Sequence, residues 1–74
     1  MILVKIQVLF AGWCSVCDDQ KREFDGLSLK VEYVDVDKRK IPVNAVPVVI
    51  VKKGGKEVKR FVGFTPKEKI LELL

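Results

Sequence analysis

Two cysteines, Cys14 and Cys17, have a type and spacing that could do chemistry, because only two residues separate them. An apolar run precedes them, and the residues that follow predict a helix that begins around 14–16. Only a thiolate attacks a disulfide, and the N–H groups and positive dipole end of a helix N-terminus lower the pKa of a thiol placed there. The placement therefore predicts thiol–disulfide exchange, in which Cys14 attacks and Cys17, one turn further in, resolves the mixed disulfide.

Metal binding is the main alternative use of such a pair. A structural zinc ion takes about four nitrogen or sulfur ligands, whereas this chain has no histidine and no cysteine besides Cys14 and Cys17. We therefore expect no metal held by one chain. A metal or an iron–sulfur cluster that bridges two chains stays open, and so does a pair of incidental core cysteines. A disulfide between such close neighbours would add little stability, because it closes a very short loop.

Length and composition predict a single globular domain over residues 1–74, since 49% of the residues are apolar and form one small core. The net charge is +4, and positive residues gather at 38–40 and along 52–60. No nucleic-acid-binding motif accompanies them, so we expect a solvated basic surface and no nucleic acid. Binding of a polyanion and steering of acidic protein partners remain as alternatives.

The N-terminal apolar run favours a buried strand over a signal peptide, because it lacks a positively charged start and is interrupted by Lys5 and Gln7. No stretch is long enough to span a membrane. Two closely spaced cysteines, rather than several distant ones, fit a reducing compartment. We therefore expect a cytoplasmic protein, monomeric and without membrane contact.

The pattern along the chain predicts an α/β fold with four strands and two helices. Apolar runs and alternation indicate strands over 2–10, 30–36, 46–51 and 58–62. The first helix is expected to end at Asp25, with Gly26 in the left-handed conformation that commonly follows a helix. The first two strands are expected to be parallel and the last two, joined by Lys53-Gly54-Gly55-Lys56, antiparallel. The result is a small mixed sheet with helices packed on it, in the order β-α-β, β-β-α.

The segment Thr65-Pro66-Lys67-Glu68 predicts the start of the second helix. Thr65 is expected to be the N-cap, Pro66 the first helical residue, and Glu68 the acidic partner of a capping box. A basic connector, residues 37–44, precedes the third strand. It has room for one helical turn at most.

Three separated motifs resemble the thioredoxin family. They are Ala11-Gly12-Trp13-Cys14-Ser15-Val16-Cys17 at the active-site position, Val46-Pro47 at the substrate-binding loop, and Lys53-Gly54-Gly55 followed by Val62-Gly63 at the hairpin and last helix. The motifs occur in the family's order and cover nearly the whole chain. The resemblance implies a minimal thioredoxin fold and a protein disulfide reductase, whose only redox group is the Cys14–Cys17 disulfide.

The resemblance also implies roles for the neighbouring residues. Pro47, cis in the family, would lie against the cysteine pair, and the backbone of Val46 would pair with an extended substrate segment. Trp13 and Gly63 would border the groove that receives the substrate, although Trp13 could simply pack and Gly63 could be a turn glycine. Lastly, the two residues between the cysteines, Ser15 and Val16, would tune the thiol pKa and the reduction potential.

The sequence also departs from the family. The chain begins at what would be the second strand of thioredoxin, a trimmed core closer to glutaredoxin, and the segments after Cys17 and around the connector are short. Val8 replaces a buried aspartate that accepts the proton of the resolving cysteine. Water or a nearby carboxylate, Asp18 or Asp19, is expected to take that role.

The electron donor is expected to be an upstream reductase or glutathione. Glutaredoxins hold glutathione with a Gly-Gly-x-Asp-type segment before the last helix, whereas this chain has Gly63-Phe64-Thr65-Pro66 there, as thioredoxins do. A thioredoxin-like protein disulfide reductase is therefore favoured. A glutathione-linked enzyme, a disulfide oxidant and a non-catalytic binding module on the same fold are the alternatives.

Overall fold

The computed structural model describes residues 3–74 as a mixed four-stranded sheet with two helices. The elements are β1 (Val4–Phe10), α1 (Ser15–Phe24), β2 (Lys30–Asp35), β3 (Val48–Lys53), β4 (Lys56–Val62) and α2 (Lys67–Leu71). The strand order is β2-β1-β3-β4, with β1 and β2 parallel and the other two neighbouring pairs antiparallel. The α/β class, the four strands and their directions are as predicted.

Some predicted boundaries were wrong. The first strand was expected from Ile2, which lies outside the described residues. β3 begins at Val48 rather than Val46, because Pro47 has no N–H to donate to the ladder. β4 begins two residues earlier than expected, directly after a turn in which Gly54 and Gly55 both have positive φ. That conformation explains the two glycines of the hairpin.

Each face of the sheet buries its own apolar cluster. On one face, β1 and β3 pack against both helices, in a cluster of Ile6, Val8, Phe24, Val49, Val51 and Ile70. Alternate residues of the same strands form the second cluster with the cysteines, and it comprises Leu9, Ala11, Cys14, Cys17, Val34, Val36, Val48 and Ile50. Full burial of a Val or Ile side chain stabilises a fold by about 1.5–3 kcal/mol. The central strand β3 is apolar without interruption over 48–51 because it serves both clusters.

Beyond the second cluster, charged side chains rather than a helix cover the sheet. Gln7 Nε2 donates to Glu32 Oε1 at 3.0 Å, and Lys5 Nζ lies 3.5 Å from the same oxygen. These two contacts, the Gln7 hydrogen bond first, hold the pKa of Glu32 below its ordinary value. Ile50 is buried between Gln7 and Arg60 in the ladder. Long polar side chains can cover such a residue with their apolar stems.

Both helix ends differ from the predicted capping. Gly26 does not have positive φ; instead α1 ends in tight turns, in which Leu27 N–H donates to Phe24 O at 3.1 Å. At α2, Pro66 rather than Thr65 occupies the N-cap. The Lys67 N–H donates to Glu23 Oε2 of α1 at 2.8 Å, so a side chain of another helix satisfies it. No α-helix of the described residues is long and apolar enough to cross a membrane.

The connector after β2 is a tight turn held by Asp35. Its carboxylate accepts the N–H groups of Asp37 and Lys38 at 3.0 and 3.1 Å, as in an Asx turn. Lys40 then takes a left-handed conformation with φ 53°. This conformation is sterically unfavourable for a residue with a Cβ, whereas glycine adopts it freely.

We expect Lys40→Gly to raise the free energy of unfolding by about 0.5–1 kcal/mol, because the relief of the left-handed conformation exceeds the added entropy of the unfolded chain. Chemical denaturation monitored by Trp13 fluorescence would measure it. Lys38→Gly is the matched control and is expected to destabilise, since Lys38 does not have positive φ. Equal losses of stability in both variants would contradict this account.

Candidate active site

Cys14 occupies the N-cap of α1. Its backbone is extended, with φ −96° and ψ 108°, and the Cys14 N–H closes a turn onto Ala11 O at 3.1 Å. The Cys17 N–H donates to Cys14 Sγ at 3.1 Å. The sulfur thus takes the place of the side-chain oxygen that caps most helices. A backbone N–H directed at a sulfur stabilises negative charge on it, which supports the predicted start of α1 at the cysteine pair.

Cys17 differs from Cys14 in its surroundings. Both are free thiols, but Cys14 retains a small exposed fraction, 8%, whereas Cys17 has none. Burial, together with the hydrogen bond to Cys14 and the charge of Asp18, raises the pKa of the Cys17 thiol from 9.0 to about 11. Cys17 therefore keeps its proton at neutral pH.

The loop before β3 lies against the pair. Val46 O accepts a weak hydrogen bond from the Cys14 thiol, with an S–O distance of 3.9 Å. The Val46–Pro47 peptide bond is cis, and Pro47 is fully buried. The structure therefore places Val46 and Pro47 beside Cys14, although 32 residues separate Cys14 and Val46 in the sequence.

Trp13 forms one wall of a groove beside Cys14. Its side chain is 75% exposed, and its indole N–H donates to Asp37 Oδ2 at 3.0 Å. The groove has a volume of about 240 Å³ and is lined by Trp13, Val36, Asp37, Ile41, Pro42, Val43, Asn44, Ala45 and Val46. Trp13 precedes Cys14 in the chain and Val46 O faces Cys14 Sγ, so the groove lies next to this cysteine.

The segment after β4 reaches the same site through Gly63. Its N–H donates to Pro47 O at 2.8 Å, and its φ of +94° is one that residues with a Cβ rarely adopt. Gly63 is thus a turn glycine and also a neighbour of the Val46–Pro47 loop. The segments that meet at the pair carry four exposed apolar side chains, Trp13, Val16, Val62 and Phe64.

Ser15 and Val16 form the first turn of α1 and are exposed to solvent. Val8, at the position expected to lack a carboxylate, is fully buried opposite Tyr33 of β2. The two candidate carboxylates differ in their contacts. Asp19 pairs with Arg22 on the surface of α1, whereas the charge of Asp18 acts on Cys17.

Three residues of the site region were missed from the sequence: Asp37, Phe64 and Gln20. Asp37 lies in a connector that was interpreted only as basic. Phe64 was considered only for its place before the last helix. Gln20 is fully buried on the stripe that Cys17 and Phe24 also occupy, and a polar residue at that helical spacing was the signal that could have identified it. No group of three or more possible metal ligands occurs within residues 3–74.

Comparison with known proteins finds thioredoxins. The chain is 33% identical to thioredoxin of Staphylococcus haemolyticus, over 96% of this chain and 79% of that protein. It is 32% identical to thioredoxin of Chlamydia muridarum, with coverages of 88% and 74%. No family model matches the sequence.

Solved structures agree with these relatives. Thioredoxin of Fasciola hepatica superposes with a TM-score of 0.77 at 30% identity, over 96% of this chain and 77% of that one. Thioredoxin-2 of the malaria parasite, described as a component of its protein secretion machinery, superposes with a TM-score of 0.78 at 26% identity, with coverages of 97% and 81%.

The different surroundings of the two sulfurs predict different reactivity. With a pKa of about 11, about one in a thousand Cys17 side chains is a thiolate at pH 8, and the thiol is buried. We expect iodoacetamide to modify Cys14 of the reduced, folded protein at least about tenfold faster than Cys17, as measured by peptide mass spectrometry. In guanidinium chloride the two rates should become similar. Equal rates in the folded protein would show that Cys17 is accessible.

Proposed function

The chain belongs to the thioredoxin family and is a thiol–disulfide oxidoreductase, and on this premise we propose that it reduces disulfide bonds of other proteins through Cys14 and Cys17. The observation that carries the proposal is the placement of Cys14 Sγ, which accepts the Cys17 N–H at 3.1 Å and faces Val46 O at 3.9 Å. Only Cys14 of the pair has any exposed surface. These contacts support a nucleophile at the edge of a groove and a resolving thiol beneath it.

In the first step the Cys14 thiolate attacks one sulfur of the substrate disulfide. A bond forms between Cys14 Sγ and that sulfur, the substrate S–S bond breaks, and the other substrate sulfur leaves as a thiolate that takes a proton. The N–H of Cys17 stabilises the charge on Cys14 Sγ before the attack. Because Cys17 holds its proton at neutral pH, it does not compete for the substrate.

In the second step Cys17 loses its proton and attacks Cys14 Sγ. The mixed disulfide breaks, a Cys14–Cys17 disulfide forms, and the second substrate thiolate leaves and is protonated. The substrate has gained two electrons and two protons, which the cysteine pair has lost. An upstream reductase, or two molecules of glutathione that become one glutathione disulfide, returns them. No cofactor beyond this redox-active disulfide is required.

The groove supports an extended polypeptide as substrate. The backbone of Val46 can pair with a substrate strand, and Trp13 lines the groove on the other side. Pro47 and Gly63, hydrogen-bonded to each other next to Val46, would hold that backbone in place. Ser15 and Val16, exposed on the first turn of α1, are placed to tune the charge at Cys14 and hence the reduction potential.

The backbone near α2 favours the protein reductase over the glutathione-linked alternative. The Gly63 N–H is bound to Pro47 O, and the Thr65 N–H is bound to the Gln20 side chain at 2.6 Å. Neither N–H is therefore free for the carboxylate of a tripeptide, which glutaredoxins bind just before their last helix.

A carboxylate outside the sheet takes the proton of Cys17 in this scheme. Asp18 fits that role, because it follows Cys17 directly on α1 and its charge reaches the thiol. Asp19 is engaged with Arg22 instead. Val8 and its register partner Tyr33 provide no carboxylate inside the sheet.

We expect the wild-type protein to reduce insulin with dithiothreitol as donor, and Cys14→Ser to lose more than about 99% of this activity, because the attacking sulfur is absent. Cys17→Ser should trap the mixed disulfide with the substrate. The measurements are the turbidity of released insulin chains and the mass of the trapped adduct.

Two outcomes would change the assignment. Efficient turnover with glutathione as donor would favour the glutaredoxin-like alternative. A folded wild-type protein without turnover from either donor would overturn the general reductase. A binding module would keep its partner affinity in Cys14→Ser, which serves as the control for binding without chemistry.

The role of Asp18 is tested by Asp18→Asn with Asp19→Asn as matched control. If Asp18 accepts the proton, we expect Asp18→Asn to slow the release of the second substrate thiol about tenfold at pH 7, and Asp19→Asn to leave it within about twofold. Rapid-quench measurement of the mixed disulfide gives this rate. If the charge of Asp18 acts only on the pKa of Cys17, its removal lowers that pKa and resolution becomes faster instead.

A further inference from the structure

Gln20 is a fully buried polar residue that the disulfide exchange described above does not use. It lies one helical turn after Cys17 on the buried face of α1. Gln20 Nε2 donates to Thr65 O at 2.9 Å, and Gln20 Oε1 accepts the Thr65 N–H at 2.6 Å. One side chain therefore binds both backbone groups of a residue 45 positions away. A buried amide with both ends satisfied is held in a single orientation.

Further hydrogen bonds connect Thr65 to the Val46–Pro47 loop. The Thr65 hydroxyl donates to Gly63 O at 3.1 Å, and the Gly63 N–H donates to Pro47 O at 2.8 Å. Pro47 follows Val46, whose carbonyl faces Cys14 Sγ. The contacts form a closed ring that leaves α1 at Gln20 and returns to it at Cys14.

Phe64 is the residue that this ring presents to solvent. It lies between Gly63 and Thr65, whose backbone groups are bonded, and its own side chain is 46% exposed. An exposed aromatic side chain on a held backbone offers contact area to a partner at a low cost in conformational entropy. The position of Phe64 relative to the Val46–Pro47 loop thus depends on Gln20.

We propose that Gln20 is a positioning residue for protein substrates: it holds the Gly63–Thr65 segment, and with it Phe64, at the distance from Cys14 that an extended substrate requires. Gln20 acts through Thr65 and not on the sulfurs. The inference rests on the proposed reduction of protein disulfides. Gln20 thus affects how tightly a polypeptide substrate binds. The reactivity of Cys14 depends instead on the N–H groups at the start of α1.

A second link between the same elements provides the control. Glu23, one turn further along α1, accepts the Lys67 N–H at 2.8 Å and is half-buried. Glu23→Ala breaks a contact between α1 and the start of α2 without releasing the 63–65 segment. A loss of activity caused only by looser packing of the helices should appear in this variant as well.

The test compares wild type, Gln20→Met and Glu23→Ala with two substrates, insulin and the small aromatic disulfide dithiobis(nitrobenzoate), which has no polypeptide backbone to pair with Val46. For Gln20→Met we expect KM for insulin to rise about five- to tenfold with kcat within about twofold, and the rate with the small disulfide to be unchanged. Glu23→Ala should resemble wild type with both. Hydrogen exchange of the Thr65 amide should be faster in Gln20→Met alone.

A double-variant cycle separates positioning from general loosening. In the Phe64→Ala background, which has already lost the positioned side chain, Gln20→Met should raise KM for insulin by less than about twofold. If Gln20→Met does not fold, Gln20→Asn replaces it, since it keeps both amide groups on a side chain one methylene shorter.

The outcomes separate this inference from the function on which it rests. Unchanged KM for insulin in the Gln20 variant, or equal losses with both substrates, would overturn the positioning role while leaving the reductase intact. Full additivity with Phe64→Ala would overturn it as well. Absence of insulin turnover by the wild-type protein would overturn the proposed function and this inference together.

Discussion

The hydrogen bond from the Cys17 N–H to Cys14 Sγ is the contact on which the rest of the site depends. It makes a sulfur the cap of α1, so the residue that satisfies the open helix end is also the proposed nucleophile. A helix that began one residue later would be capped by Ser15, and its open end would no longer be satisfied by the sulfur. Capping is worth about 1 kcal/mol in most helices, and here the same contact stabilises the charge that the chemistry needs. Stability and reactivity are thus coupled at one atom.

Around that atom, the site is built from the ends of secondary structure. The 11–14 turn, the Val46–Pro47 loop and the segment after β4 come from separate parts of the chain. The Cys14 thiol joins the first two, and a backbone hydrogen bond from Gly63 to Pro47 joins the last two. Four of the side chains that remain exposed there, Trp13 and Phe64 among them, are apolar. A site of this kind offers backbone groups and apolar surface rather than charges, which suits the recognition of many extended polypeptides over one specific ligand.

Two features of the sheet follow directly from its sequence: an apolar residue at position 8 and a polar network on one face. Val8 lies in the apolar cluster beneath the helices and carries no carboxylate, so the acidic side chain whose charge acts on Cys17, Asp18, lies on the helix instead. Away from the site, Lys5, Gln7 and Glu32 form a polar network over one face of the sheet. Such exposed contacts add little stability individually, but they let that face meet water without a covering helix.

The sequence alone determined what depends on neighbours along the chain: the start of α1 at Cys14, the Lys53-Gly54-Gly55-Lys56 hairpin, and the apolar strands that form the α/β core. Some of its errors were local, namely the strand bounds and the conformation of Gly26, and the others concerned groups whose partners are remote. Thr65 has the residue type of an N-cap, yet Gln20 binds its backbone from 45 residues away, and Asp37 binds Trp13 across 24 residues. Propensity and spacing describe only the local competition for a hydrogen bond. The distant group that forms the hydrogen bond is selected only when the sheet brings the segments together. For this reason the cysteine pair could be identified from the sequence, whereas the groove could be identified only from the tertiary structure.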